Sequence, residues 1–203
     1  MKRAIQYGVC FCLCMLFLAG CGGTKVAGTP DTSSISVSKD GTVTSWLVDV
    51  FDKDYYDIAG LQQMVQQEAD AYNAANAEGE ALPVTVKSVE ALQDGSRKVV
   101  VKQQYDSVAT YSDYNGAVLF YGTVEQAKAQ DYDLNVELTD VKKGEKLLGQ
   151  LAASGEKHIL ITDSKARLYC PGKVTHVSEG VQLLEDGSVD TTQASETVYI
   201  MMK

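Results

Sequence analysis

Cysteine is scarce beyond the first 21 residues of this chain. Four of the five cysteines lie at or before residue 21, and Cys170 is the only one that follows. Residues 22–203 therefore cannot form an intramolecular disulfide, so a hydrophobic core has to stabilise their fold. About 165 residues are enough to bury roughly two-thirds of the surface that the unfolded chain exposes.

Histidine and basic residues are also few. The two histidines, His158 and His176, leave no recognisable zinc-ligand set even with Cys170. Lysine and arginine number 18 against 27 aspartates and glutamates. This acidic surplus argues against nucleic acid and anionic lipid headgroups as partners, because both are attracted to Lys/Arg surfaces.

Catalytic and nucleotide-binding motifs are missing. The sequence has no glycine-rich phosphate loop, no Gly-x-Ser-x-Gly elbow and no His-Glu-x-x-His helix. It therefore predicts no cofactor and gives no motif for a hydrolase.

Cys170 is the one residue from which a thiol nucleophile could be built, with His158 or His176 as its base. Secreted cell-wall peptidases of the Cys-His kind place that cysteine at the start of a helix. Tyr169-Cys170-Pro171-Gly172 instead indicates a strand that ends in a turn. The alternative is a buried, inert thiol.

The N-terminus carries a secretory pattern. Lys2 and Arg3 precede an uncharged apolar run, which ends in Leu18-Ala19-Gly20-Cys21 and is too short to span a bilayer as a permanent helix. This segment resembles bacterial lipoprotein precursors. The resemblance implies that residues 1–20 are a signal peptide, that Cys21 is lipidated, and that the mature chain is anchored on the extracytoplasmic side of the cell membrane.

Removing residues 1–20 changes the formal net charge from −9 to −11, because this segment contains two basic residues, Lys2 and Arg3, and no acidic residue. Residues 21–38 are rich in Gly, Thr and Ser, which predicts a lipidated N-terminus followed by a flexible tether. Residues 39–203 are expected to form a single extracytoplasmic domain.

Hydrophobic periodicity predicts an α+β fold: antiparallel sheet with one long helix and one or two short ones. The long helix is expected from Ile58 to Ala77, capped by Asp57, and Thr123 with Gln126 predicts a capping box for a short helix through Ala129. Residues 145–151 are predicted to form a helical turn or two. Strands are expected at 42–51, 83–90, 97–102, 117–121, 158–162, 166–169, 173–178, 181–184 and 197–201. The strands of the last third are expected to form an antiparallel sheet.

Four aspartates crowd the start of the long helix, and oxygen ligands of this kind suit calcium. Their spacing does not match an EF-hand, so the alternative is that Asp57 caps the helix while the others favour its positive end. These candidate metal ligands are Asp49, Asp52, Asp54 and Asp57.

Tyrosine is concentrated, since eight of the eleven tyrosines lie between Tyr55 and Tyr132. A tyrosine offers a flat apolar face and a hydroxyl, which suits contacts with sugars, peptides or proteins. The alternative is that these rings line the rim of the core. The candidate ligand contacts, which stand among polar residues, are Tyr105, Tyr111, Tyr114 and Tyr132.

These observations predict a lipid-anchored extracytoplasmic domain without catalytic activity, which binds an envelope glycan, peptide or protein or helps to assemble an envelope complex. The segments 53–57 (Lys-Asp-Tyr-Tyr-Asp) and 119–122 (Leu-Phe-Tyr-Gly) give the chain a resemblance to small lipoproteins of gut-type Gram-positive bacteria, for which no activity is established. A cell-envelope hydrolase with an unrecognised active site is the alternative. A solute-capture lipoprotein is the third possibility, although the chain is short for two lobes.

Overall fold

The computed structural model describes residues 24–147 and 151–203, so the predicted signal peptide and Cys21 lie outside the described residues. Within these ranges the chain has mixed α/β content, with two mostly antiparallel sheets and three α-helices. No helix in the described part has the length and apolar character needed to cross a membrane. The helices are α1 (Ile58–Asn76), α2 (Val108–Asn115) and α3 (Val124–Ala129).

The first sheet has seven strands in the order β11-β12-β9-β1-β2-β4-β3. Its central strand β1 pairs antiparallel with β2 and parallel with β9, so it joins the N-terminal strands to strands from the end of the chain. In chain order these strands are β1 (Ser34–Val37), β2 (Val43–Val50), β3 (Val84–Ala91), β4 (Lys98–Tyr105), β9 (Arg167–Tyr169), β11 (Gln182–Leu183) and β12 (Val189–Asp190).

The second sheet has six strands in the order β5-β8-β13-β10-β6-β7, all paired antiparallel. Its central strands are buried on both faces: Leu160 packs into a core shared with the first sheet, whereas Ile159 and Ile161 face a second core beneath α3. This alternation follows the two-residue period of a strand. The strands are β5 (Leu119–Thr123), β6 (Leu138–Asp140), β7 (Lys146–Leu147), β8 (His158–Thr162), β10 (Val174–Val177) and β13 (Val198–Met202).

The helix α1 is attached to β3 by a buried asparagine. Val65, Ala69 and Asn73 form the buried stripe of the helix. The Asn73 side chain donates to the Val84 carbonyl at 2.7 Å and accepts from the Val84 N–H at 2.9 Å. Both backbone groups of Val84 are thus satisfied by one side chain where β3 begins.

The caps predicted for two helices are confirmed. The Asp57 carboxylate accepts from the N–H groups of Ala59 and Gly60, and the reciprocal bonds of Thr123 and Gln126 form a capping box. The sequence reasoning missed α2. Its propensity is low, but Ser107 caps its first turn and Gly116 ends it in the left-handed conformation with φ 59°.

The N-terminal segment differs from the predicted tether of residues 21–38. The Thr24 N–H donates to the Cys170 carbonyl at 3.0 Å, and its hydroxyl donates to the Gly187 carbonyl at 3.0 Å. Further along, Pro30 is buried, and Ser34–Val37 is a sheet strand. The tether prediction is corrected for these residues, because Ile35 and Val37 point into the core with the alternation of a strand.

The last third of the chain differs from prediction in two ways. Its strands do not form one sheet, because β9, β11 and β12 belong to the first sheet. Residues 145–151 were expected to be helical, but Lys146–Leu147 pairs with β6 as strand β7, and a short 3-10 helix begins at Leu151.

Replacing Asn73 by alanine should lower the free energy of unfolding by about 3 kcal/mol, because both backbone groups of Val84 would be left buried without a partner. Urea denaturation followed by circular dichroism measures this loss. Asn76→Ala is the matched control, since Asn76 is exposed on the same helix and should cost about 0.5 kcal/mol or less. Equal losses for the two variants would contradict this role of Asn73.

Candidate functional site

Three of the four aspartates proposed as metal ligands have a local partner. Asp57 accepts from the N–H groups of Ala59 and Gly60, and Asp49 accepts from the Val50 N–H at 2.7 Å. Asp52 pairs with Lys53 at 3.1 Å, and Asp54 is exposed. Across residues 24–147 and 151–203 no group of three or more His, Cys, Asp or Glu side chains is arranged to hold a metal ion.

The Cys170 side chain is fully buried in the core between the two sheets. Burial raises the pKa of its thiol to about 12, which keeps the sulfur protonated and weakly nucleophilic. His176 lies on β10, where its Nε2 is 3.7 Å from Asp140 Oδ2 and its Nδ1 is 3.1 Å from the Thr175 hydroxyl. The buried thiol corresponds to the alternative interpretation of Cys170.

Three of the candidate tyrosines come together with a fourth, Tyr72, in one cluster of rings. The centroid of Tyr105 is 5.1 Å from that of Tyr111 and 5.6 Å from that of Tyr114, which in turn is 5.2 Å from Tyr72. Tyr105 is 0% exposed and Tyr111 7%, and burial raises the pKa of both. Tyr105 therefore presents no exposed face to a ligand, and Tyr111 presents only a small one, at a depression of about 180 Å³.

The exposed side of this cluster opens into a groove of about 510 Å³ between α1 and α2, here called the first groove. Tyr72 donates its hydroxyl proton to Asp113 Oδ2 at 2.8 Å. Desolvation and this bond raise the Tyr72 pKa to about 12, so the hydroxyl stays a donor at physiological pH. Asp106, which accepts from Thr110, also lines the groove with Glu78.

A second groove of about 520 Å³ lies on the other side of α2, against β5, and shares Ala109 and Asp113 with the first. Tyr121 and Tyr132 line it, and the Tyr132 ring packs on Phe120 with centroids 5.1 Å apart. The second groove therefore contains a predicted ligand contact, Tyr132, whose half-buried ring lines a surface depression.

The position of α2 between the two grooves is set by one serine. The Ser112 hydroxyl accepts from the Leu119 N–H at 2.9 Å and donates to the Leu119 carbonyl at 3.1 Å. These two bonds join α2 to the beginning of β5. The wall between the two grooves is therefore a helix fixed to the sheet and not a free loop. A rigid wall reduces the ordering cost of binding.

A third depression of about 510 Å³ is lined by Glu137, Glu179, Glu196 and Tyr199. Glu137 is paired with Lys146. Three of its ten lining residues are acidic and one is aromatic, as in the first groove, but its ring, Tyr199, does not belong to the tyrosine cluster.

The grooves offer binding chemistry. Tyrosine faces can pack on sugar rings or peptide side chains, and the carboxylates of Asp106 and Asp113 can accept from hydroxyl, amide or ammonium groups. Sequence reasoning missed Tyr72 and Tyr121, and the signal that could have found this site is the pair of α2 caps, Ser107 and Gly116.

Comparisons with known proteins give no relative: no protein-family profile matches this chain, and neither the curated proteins nor the solved structures contain a significant match.

The Cys170 thiol should not react with a disulfide reagent at pH 8 in folded residues 22–203, because it is buried and protonated. Spectrophotometric thiol titration should count no thiol in buffer and one in concentrated urea. Lys173→Cys is the matched control, since residue 173 is exposed nearby and its thiol should react in the folded state. Rapid native reaction of Cys170 would restore the nucleophile interpretation.

Proposed function

We propose that this protein is a lipid-anchored extracytoplasmic domain without catalytic activity, which binds a glycan, peptide or protein of the cell envelope. The lipobox at residues 18–21 supports the anchor and the location. The membrane attachment follows from acyl chains on Cys21, and two or more chains are needed for stable anchoring.

The observation that carries the binding function is the pair of tyrosine-lined grooves on either side of α2. Their lining combines rings with carboxylates, and both share the Asp113 side chain held by Tyr72. In this proposal α1 is the one long helix of the domain and forms the outer wall of the first groove, while α2 is the short wall between the two. An extended ligand lying across α2 would contact both grooves.

The chemistry of the lining favours a ligand with apolar faces and hydrogen-bond donors. Glu78, Asp106 and Asp113 make the first groove acceptor-rich. Hydroxyl groups of a glycan, amides of a peptide or an ammonium group would each be matched by these acceptors. An anionic polymer would be repelled, which agrees with the acidic composition of the chain.

Replacing Cys21 by serine should abolish incorporation of radiolabelled palmitate and release the protein from the membrane fraction, because the acceptor thiol is lost. Growth with labelled fatty acid, followed by gel autoradiography, measures this. Cys170→Ser is the matched control and should keep the label, since that thiol is buried in the folded domain. Unchanged labelling of the Cys21 variant would contradict the proposal that Cys21 carries the lipid.

A ligand of the grooves should raise the melting temperature of residues 22–203, since it binds only the folded state. We expect a screen with muropeptides, oligosaccharides and short peptides to find one such class. Tyr132→Ala and Asp113→Asn should each weaken its affinity about tenfold, as hot-spot residues do.

Tyr55→Ala is the control for this screen, because that ring is 78% exposed and does not line either groove. The ligand-induced shift is compared within each variant, so a stability change caused by the substitution itself does not count. An equal shift in all three variants would place the ligand outside the grooves.

A further inference from the structure

The first described residue, Thr24, is already bonded to the rest of the fold, and it lies close in sequence to Cys21, the predicted lipid attachment point. Thr24 is fixed by two hydrogen bonds, from its N–H to the Cys170 carbonyl and from its hydroxyl to the Gly187 carbonyl, each 3.0 Å long. The following residues continue along the first sheet, where the Asp31 carbonyl accepts from Lys98 Nζ at 2.8 Å and the Val48 N–H donates to Ser33 Oγ at 3.0 Å.

Only two residues, Gly22 and Gly23, lie between Cys21 and Thr24, so three peptide units join them. A fully extended chain of that length reaches about 11 Å at most. A lipid on Cys21 would thus hold the edge of the sheet at Thr24 against the headgroup region of the bilayer.

We propose that one end of the sheet sandwich, here called the anchor face, rests on the surface of the lipid bilayer. The anchor face consists of Thr24 and Lys25, the β1–β2 turn at residues 38–42, the Pro171–Lys173 turn after β9 with the adjacent Lys203, and the β11–β12 turn at Gly187. This inference rests on the proposed lipidation of Cys21, and it adds the orientation of the domain and a second contact with lipid.

The register of the strands places these turns at one end. Ser36 on β1 pairs with Tyr169 on β9, so the turn after β1 and the turn after Cys170 leave the sheet on the same side. Val189 pairs with Leu168, which brings the turn at Gly187 to that side as well. The β3–β4 turn at Asp94-Gly95 lies at the opposite end, because Lys98 pairs with Val50 and Tyr105 with Val43.

The anchor face carries exposed basic side chains. Four exposed lysines lie at the anchor face, and none forms an ion pair with a described carboxylate. Two of them, Lys173 before β10 and Lys203 after β13, exchange backbone hydrogen bonds of 3.0 and 3.1 Å with each other. The set is Lys25, Lys39, Lys173 and Lys203.

Acidic groups are also present at this end, but the local balance differs from that of the whole chain. Asp186 is paired with Arg167 at 2.8 Å, Asp40 accepts from the Thr42 N–H, and Glu185 is exposed in the β11–β12 turn. Four lysines and three carboxylates thus lie at the anchor face, whereas the whole chain has 18 basic and 27 acidic residues. The unpaired lysines at this end can therefore contact anionic headgroups with less repulsion than the overall charge implies.

The test uses the full-length lipidated protein, reconstituted into vesicles of phosphatidylethanolamine and phosphatidylglycerol that carry a contact quencher on their headgroups. A fluorophore is attached at Lys39→Cys, Lys173→Cys or Asp94→Cys, in separate variants; Cys170 is buried and does not compete for the label. The eight residues of β4 separate the two ends by about 25 Å.

We expect the fluorescence at positions 39 and 173 to be largely lost and that at position 94 to be unchanged. A tether lengthened by twenty Gly/Ser residues between Gly22 and Gly23 is the matched control. It adds roughly 25 Å of reach, so quenching at 39 and 173 should fall.

Quenching of equal strength at all three positions, or stronger quenching at position 94, overturns the proposed orientation but leaves the proposed lipidation of Cys21 unaffected. A purified protein whose mass shows no lipid, or which fails to float with the vesicles, overturns the anchor and this inference together. The two failures are therefore distinguishable by flotation and mass spectrometry.

Discussion

The pairing of β1 with two neighbours is the interaction on which the rest of this structure depends. This four-residue strand bonds to β2 on one side and to β9 on the other, and it lies in the middle of the seven-stranded sheet. Without it the strands β2, β4 and β3 would have no hydrogen-bonded link to β9, β12 and β11. Its inward residues Ile35 and Val37 also belong to the core between the sheets.

Because β1 begins 13 residues after Cys21, the proposed anchor would act on a stretch of chain that also forms part of the first sheet. The residues before it are held against β9 and β12 through Thr24. The first groove lies against α1 and α2, and the second against α2 and β5, so neither is built from the N-terminal segment. A lipid anchor at Cys21 would then set the orientation of the domain without using any residue of the two grooves, which lie beside the helices.

Much of the fold could be predicted from local patterns. The helix beginning at Ile58, the strand His158–Thr162 and the capping box at Thr123 each have a strong local signal in periodicity or capping. The strand β1 could not be recognised in the same way, because it is four residues long and its flanks are rich in Gly, Thr and Ser. Its parallel partner β9 is more than a hundred residues away, and such pairing leaves no local pattern. The candidate site was harder to predict than the fold. Tyr105 and Tyr132 both lie among polar residues in the sequence, and only the structure shows that Tyr105 is buried whereas Tyr132 lines a groove.

Hydrogen exchange of residues 24–37 in the folded protein tests the central claim most directly, namely that the N-terminal segment belongs to the first sheet. If β1 is hydrogen-bonded between β2 and β9, the amides of Ser34–Val37 should exchange as slowly as those of β2, because their exchange requires the strands of the sheet to separate. Exchange of these amides at the rate of an unstructured chain, with β2 still protected, would contradict the account and restore a free tether.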